Sequence, residues 1–216
     1  MQRLQSILIS AVLLGICLWI VWRVPINGYG SLIWLLGNVV MAIVRRPHEA
    51  ANKANVVTES RQTTTENLLL AGVLLGSAVL PAVHLTLGVF DFAAYSLPPW
   101  VLGAGALVLA FGLWLFWRSH ADLGRNWSVT LEVREAHTLV DNGVYRRIRH
   151  PMYTAIFLIF AAQALLIHNW IAGLGGLVSF TAMYLIRVPR EEAMMRNEFG
   201  EAYDAYCART GRLLPR

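Results

Sequence analysis

The chain has 216 residues, of which 56% are hydrophobic and only 14% charged, with a formal net charge of +5 at pH 7. Soluble domains carry about 25% charged residues, so an ordinary soluble globule is excluded. So is a nucleic-acid-binding protein, because no soluble module interleaves basic with polar or aromatic residues.

Apolar runs cover roughly 5–22, 31–44, 67–90, 98–117, 152–168 and 170–186. A helix needs about 20 apolar residues to cross a hydrocarbon core about 30 Å thick, and only helices or closed barrels satisfy every backbone group there. The first run lacks a small-residue cleavage site and is expected to remain as an anchor. Cys17 lies inside it; with Cys207 it supplies neither a disulfide framework nor a metal-ligand spacing, and no metal site is expected. The run at 31–44 is short for a span, which implies tilt or partial insertion. The runs at 67–90 and 98–117 are long enough. Gly72 and Gly76 have the spacing of close helix packing. Gly103 and Gly105 sit within a span with no strand before them, which removes a phosphate-binding reading. The last two runs are joined by His168-Asn169-Trp170 and read as a tight helical hairpin.

The charge pattern sets an orientation. With both termini cytoplasmic, the external loops 23–30, 91–97 and 168–169 hold Arg23 alone, and the other 17 of the 18 Lys and Arg residues face the cytoplasm. The net positive charge is then a topology signal and a contact with lipid headgroups. The expected fold is an all-α integral membrane protein of about five to six transmembrane helices, with a C-terminal helical hairpin and a cytoplasmic amphipathic helix.

Three polar stretches remain: 45–66, read as a connector, 118–151 and 187–216. In the last, a helix is predicted after Pro189, since proline favours a first turn and Glu191 and Glu192 suit the positive end of a helix dipole. Met195, Phe199, Tyr203 and Tyr206 recur at steps of four, four and three to form its apolar face, and Gly211 closes it.

"HTLVDNGVYRRIRHPMY" (137–153), the apolar hairpin after it and "RVPREEAMMRNEFGEAYDAY" (187–206) together resemble the isoprenylcysteine carboxyl methyltransferase family, which belongs with the membrane phospholipid methyltransferases. "HADLGRNWSV" (120–129) fits the segment that leads in, so the resemblance covers about the last hundred residues. It implies an integral membrane enzyme using S-adenosyl-L-methionine, with residues 1–117 as N-terminal transmembrane helices and 118–216 as the catalytic region of one integrated membrane domain. Carried over by position, the cofactor residues are His137, Thr138, Leu139, Val140, Tyr145, His150, Pro151, Met152, Tyr153 and Glu191, and Arg187 is the substrate-side arginine. Met152 is bulkier than the small residue usual there, and Asp141-Asn142 replaces a Thr-Ser or Thr-Thr pair.

These residue types suit that chemistry. Glu191 offers a carboxylate, and Tyr145 and Tyr153 offer rings, to a sulfonium and an ammonium; a cation over such a ring gains ~0.5–2 kcal/mol. His150 and nearby amides suit the polar edges, while Leu139 and Val140 give an apolar wall. Arg187 can grip a carboxylate with paired hydrogen bonds. An amine or thiol acceptor would instead need a base, for which Glu192 or His150 is the candidate. Bland readings stand beside these: Arg146, Arg147 and Arg149 as a lipid-facing basic cluster, Tyr145 and Tyr153 with Trp117 and Trp127 as an interfacial belt, His150 as a helix cap.

The expected acceptor is lipophilic or membrane-delivered, with a prenylcysteine-type carboxylate, a phospholipid amine and a small thiol all open. A nicotinamide-dependent isoprenoid or sterol reductase on a related scaffold is the alternative activity, and a non-catalytic scaffold the third reading. The single lysine against 17 arginines points to a prokaryotic inner membrane with the active site facing the cytoplasm. Oligomeric state is not legible.

Overall fold

Unbroken apolar stretches leave the backbone no partner but itself, and helices result. The computed structural model describes residues 2–24, 28–53, 57–60, 63–124, 132–134 and 138–216. Its helices are α1 (Gln2–Trp22), α2 (Tyr29–Lys53), α3 (Thr64–Leu87), α4 (Trp100–Leu123), α5 (Pro151–Leu166), α6 (Gly175–Phe199) and α7 (Glu201–Arg209). Helix α3 contains one π turn, Leu75–Val79.

Helices α3 and α4 are each long and apolar enough to cross a membrane, and Leu8–Trp22 and α5 are shorter apolar helices. Leu13, Leu18, Leu68 and Leu107 all point outward and are exposed. An apolar exterior of this extent suits lipid rather than water. The core lies chiefly between α4 and α5, where Leu109, Leu115 and Phe116 meet Ala155, Ile159 and Phe160. Helix α6 closes it with Phe180, whose ring packs edge-on to Phe157 and Phe160 at 4.9 and 5.5 Å between centroids.

At one end of the bundle the three short loops interlock. Arg23 Nη1 donates to Thr86 O at 3.0 Å, Asn169 Nδ2 donates to Phe90 O at 2.6 Å, and Asn169 Oδ1 accepts from the Ile171 and Ala172 amides. The polar loops that carry the motifs gather at the other end.

Several expectations change. The run at 31–44 is part of a 25-residue helix that continues through Pro47 to Lys53, and residues 57–60 of the presumed connector form β1. Strand β1 (Val57–Ser60) pairs antiparallel with β2 (Glu132–Arg134), with Val57 opposite Arg134. Among the described residues the fold is therefore helical with one two-stranded ribbon. The hairpin connector runs from Ile167 to Leu174 rather than through three residues, because Asn169 folds it into a hydrogen-bonded turn. No new helix starts at Pro189: α6 passes through it and ends at Gly200 (φ +52), where α7 begins. Proline lacks a donor for only one rung, and the surrounding packing carries the helix across. Of the Gly72–Gly76 pair, only Gly76 sits at a close approach, against Gly175 of α6; Gly72 faces open space.

Candidate active site

The motif loop is fastened from three directions. Gly143 takes φ +55, and a Cβ there would overlap the Asp122 carboxylate. This positive φ favours glycine. Asp122, held by Arg118 Nη2 at 2.9 Å, accepts from the Val144 amide at 2.9 Å. The short 3-10 turn Gly143–Arg146 then turns Tyr145 inward, 3.5 Å from Ser119 O, while Tyr206 Oη donates to Tyr145 O at 2.7 Å. The C-terminal segment clasps the loop from below: the Arg149 amide donates to Gly211 O at 2.8 Å, the His150 amide to Arg212 O at 3.0 Å, and the Gly211 amide to Arg147 O at 3.0 Å. Pro151 occupies the first turn of α5 and is fully buried. His150 precedes it, yet its side chain makes no capping bond. The helix-cap reading of His150 therefore fails.

His150 instead bridges two carboxylates. Its Nε2 lies 3.2 Å from Glu192 Oε1 and its Nδ1 3.8 Å from Glu191 Oε1. Tyr153 Oη donates to Glu191 Oε2 at 2.8 Å. Arg187 Nη1 lies 3.3 Å from Glu66 Oε1, and its Nε 4.0 Å from Glu191 Oε2. The Tyr145 hydroxyl is pushed well above its ordinary range by burial, with the Glu191 charge next. It therefore stays a neutral donor.

Glu192 is placed differently from the candidate base expected. It is 3% exposed and enclosed by Arg212 Nε at 3.0 Å and Nη2 at 2.7 Å, Arg149 Nε at 3.4 Å and the His150 ring at 3.2 Å. Burial works to raise its carboxyl. Hydrogen bonds from His150 and Arg212, and their charges, outweigh that and hold it down at about 2. Arg149 also donates to Cys207 O at 3.1 Å and to Thr210 O. This cluster ties α6, the motif loop and the C-terminal segment into one unit, and so Arg149 is not a lipid-facing cation.

A cavity of about 520 Å³ opens above the cluster. Thr138, Leu139 and Val140 line one wall, Tyr145, His150, Met152 and Tyr153 a second, and Arg187 with Glu191 a third. Pro151 and Glu192 lie behind these walls, and His137 and Trp127 fall outside the described residues. Met194, Met195, Tyr203 and Tyr206 add to the lining from α6 and α7. Trp117 is half exposed on α4, as a belt residue would be.

The rest of the lining, to which the sequence reading assigned no residues, comes from Ile156, Phe160, Phe180 and Met183 of α5 and α6 and from the N-terminal helices. Asn38, Met41 and Arg45 come from α2, and Leu70, Val73 and Ser77 from α3. The steps of three and four in Asn38, Met41 and Arg45 are a helical-face signal that could have flagged α2. From α4 come Phe116 and His120; the His120 ring packs at a tilt against His48 and Phe116, with 4.9 and 4.3 Å between centroids. Helix α4 itself runs unbroken across positions 117 and 118.

The phospholipid methyltransferase family model matches residues 100–202. Protein-S-isoprenylcysteine O-methyltransferase B of Arabidopsis thaliana is 26% identical over 118 residues, 54% of this chain and 60% of that protein. Protein-S-isoprenylcysteine O-methyltransferase of Schizosaccharomyces pombe is 27% identical over 100 residues, 45% of this chain and 42% of that protein. The chain thus spans about half the length of the curated relatives it matches. Among solved structures, the eukaryotic intramembrane Ras methyltransferase ICMT (isoprenylcysteine carboxyl methyltransferase) shares the fold with a TM-score of 0.53 and 24% identity, over 89% of this chain and 67% of that one. The resemblance carried by the C-terminal motifs is the resemblance these comparisons find.

Proposed function

We propose, from the resemblance to the isoprenylcysteine carboxyl methyltransferases, that this chain is an integral membrane S-adenosyl-L-methionine-dependent methyltransferase whose acceptor is lipophilic. By the same resemblance the acceptor head is a prenylcysteine-type carboxylate. One observation carries the reading. Of the expected site residues that the structure describes, all except Pro151 and Glu192 line a single cavity whose far wall is built from apolar membrane helices.

The residues present fit the cofactor. The cavity volume lies in the range of small-molecule sites, about 300–1,000 Å³. Glu191, oriented by the Tyr153 hydroxyl, offers a fixed carboxylate to a cationic group. Tyr145 and Tyr153 offer ring faces, and Leu139 and Val140 an apolar wall. When bound, S-adenosylmethionine supplies an electrophilic methyl group: the bond from acceptor oxygen to carbon forms as the carbon–sulfur bond breaks, with the electron pair left on sulfur. A carboxylate acceptor has no proton to lose, so the chain's task is alignment, which contributes up to about 7–11 kcal/mol in favourable cases. Arg187 orients the acceptor head, and Leu70, Val73, Ile156 and Met183 of the same cavity hold its apolar tail.

Topology follows the same reading. Six spans with both termini cytoplasmic put Arg23 and Asn169 outside and the cavity rim at the cytoplasmic surface, where a water-borne cofactor and a lipid-borne acceptor meet. The arginine bias supports a prokaryotic inner membrane, although the matched relatives named above are eukaryotic.

Calorimetric titration of the detergent-purified protein with S-adenosylmethionine, and in parallel with NADPH, tests the class. Saturable binding of the first and silence with the second is expected, and Glu191→Gln and His150→Ala are expected to weaken it strongly while the protein stays folded. Binding of NADPH alone would replace this reading with the reductase. Silence with both from folded protein would leave a scaffold without catalysis.

A further inference from the structure

Glu66 stands outside every motif of the C-terminal half, yet it is 5% exposed. Thr63-Thr64-Thr65-Glu66 has the pattern of a capping box, in which the glutamate side chain turns back to the N-cap amide. One half of the box is formed: Thr63 Oγ1 accepts from the Glu66 amide at 3.2 Å. The carboxyl, however, is turned to Arg187, with Oε1 3.3 Å from Nη1 and in no hydrogen bond of good geometry among the described residues. The start of α3 thus sets a carboxylate against the arginine of α6.

Arg187 then lies between two anions, Glu66 at 3.3 Å and Glu191 at 4.0 Å. Its Nε is buried with no hydrogen-bond partner among the described residues. Arg187 and Glu191 line the cavity, while Glu66 touches the guanidinium from outside that lining. A guanidinium offers five donors in a fixed fork, and one arm is already directed at Glu66.

This arrangement matters for methyl transfer to an anion. A carboxylate acceptor loses its charge as the new bond to carbon forms. An arginine with its full charge would hold the starting anion more tightly than the charge-depleted transition state. Binding that favours the ground state lowers KM without raising kcat. A balanced arginine aligns the same oxygens through hydrogen bonds with less of that penalty.

Resting on the substrate-side role of Arg187 proposed above, we propose that Glu66 is a positioning and specificity-determining residue, which tempers Arg187 so that it orients an acceptor carboxylate without retaining it. A residue of the N-terminal half thereby sets the charge preference of a site whose motifs lie in the C-terminal half.

The test uses the full-length protein and two probes that differ only in the head group, N-acetyl-S-farnesylcysteine and its carboxamide. In Glu66→Gln, affinity for the carboxylate relative to the carboxamide is expected to rise about tenfold, the low end for one neighbouring charge in a partly dry site. With the carboxylate probe, KM falls and kcat falls with it. Affinity for S-adenosylmethionine is expected to stay within about twofold of wild type, since Glu66 lies outside the cavity. In Glu66→Asp, which keeps the charge but retracts it, the relative gain is expected to be only about threefold. An unchanged carboxylate-to-carboxamide ratio in Glu66→Gln overturns the proposal. So does a parallel weakening of both probes with a lower melting temperature, which is the signature of a structural strut. If Glu66→Gln does not fold, Glu66→Asp carries the test, and no relative gain there overturns it. The ratio is a binding measurement and needs no turnover. Failure of the methyltransferase reading shows separately, as wild-type protein that does not bind S-adenosylmethionine.

Discussion

Glu192→Gln separates two roles that the sequence leaves open for this glutamate. Were Glu192 a proton acceptor in the cavity, the substitution would abolish turnover and spare stability. The structure points the other way. Its carboxylate takes 3.0 and 2.7 Å contacts from Arg212, one of 3.4 Å from Arg149 and one of 3.2 Å from His150, behind the cavity wall. Breaking a buried pair by neutralising one partner costs about 3–5 kcal/mol. Arg212 is about half exposed, at 48% of its side chain, so the lower end applies. The depressed carboxyl gives a consistent figure: a fall from 4.5 to about 2 corresponds to roughly 3 kcal/mol at 1.36 kcal/mol per unit. At about 2–4 °C per kcal/mol for a chain of this size, the melting temperature at pH 7 should drop by about 6–12 °C. The sign with pH is fixed. A carboxyl held lower in the folded than in the unfolded chain stabilises above its unfolded value, near 4.5, and that contribution disappears as pH falls toward about 2. Wild type and variant should therefore differ fully at pH 7 and converge as pH falls below 4.5. Thermal unfolding followed by tryptophan fluorescence in detergent, at pH 7 and near pH 3, reads both. A variant with an unshifted melting temperature at pH 7 and no methyl transfer would refute the argument and restore Glu192 as a base.

The loop anchor and the cofactor carboxylate give two further outcomes. Gly143→Ala places a Cβ against Asp122 at a φ of +55 and should cost about 2–3 kcal/mol by thermal unfolding, summing left-handed strain and the lost Val144 bond. Asp122→Ala added to it should cost little more, since the two substitutions break one interaction. Tyr153→Phe removes the donor that orients Glu191 and should weaken S-adenosylmethionine binding about tenfold by calorimetry, a hydrogen bond to a charged group being worth about 1.5–3 kcal/mol.

The C-terminal half was legible because its chemistry is crowded into short polar stretches. Tyr145, His150, Tyr153, Arg187 and Glu191 stand out against apolar neighbours, and each lines the cavity. The resemblance set Glu191 in the cofactor site and left Glu192 as a candidate base. Helix phase separates them further, by turning one to the cavity and its neighbour to Arg212. Pro189 misled for a related reason: its preference for a first turn is weak beside the packing of Val188 and Met194, both buried in the same helix.

The N-terminal half hid its contribution because lipid and protein core select the same residues. In a soluble helix a polar face and an apolar face report which side is buried. In α3, the exposed Leu68 and Leu75 and the cavity-lining Leu70 and Val73 are all aliphatic. What marks the inward side there is the rare polar atom, Ser77 in the π turn, Asn38 on α2 and Glu66 at the start of α3. A buried carboxylate at a membrane surface is costly unless it is paired. The pairing of Glu66 with Arg187 across some 120 positions of sequence is therefore the contact that a reading by segments cannot reach, and it joins the two halves of the chain at the proposed site.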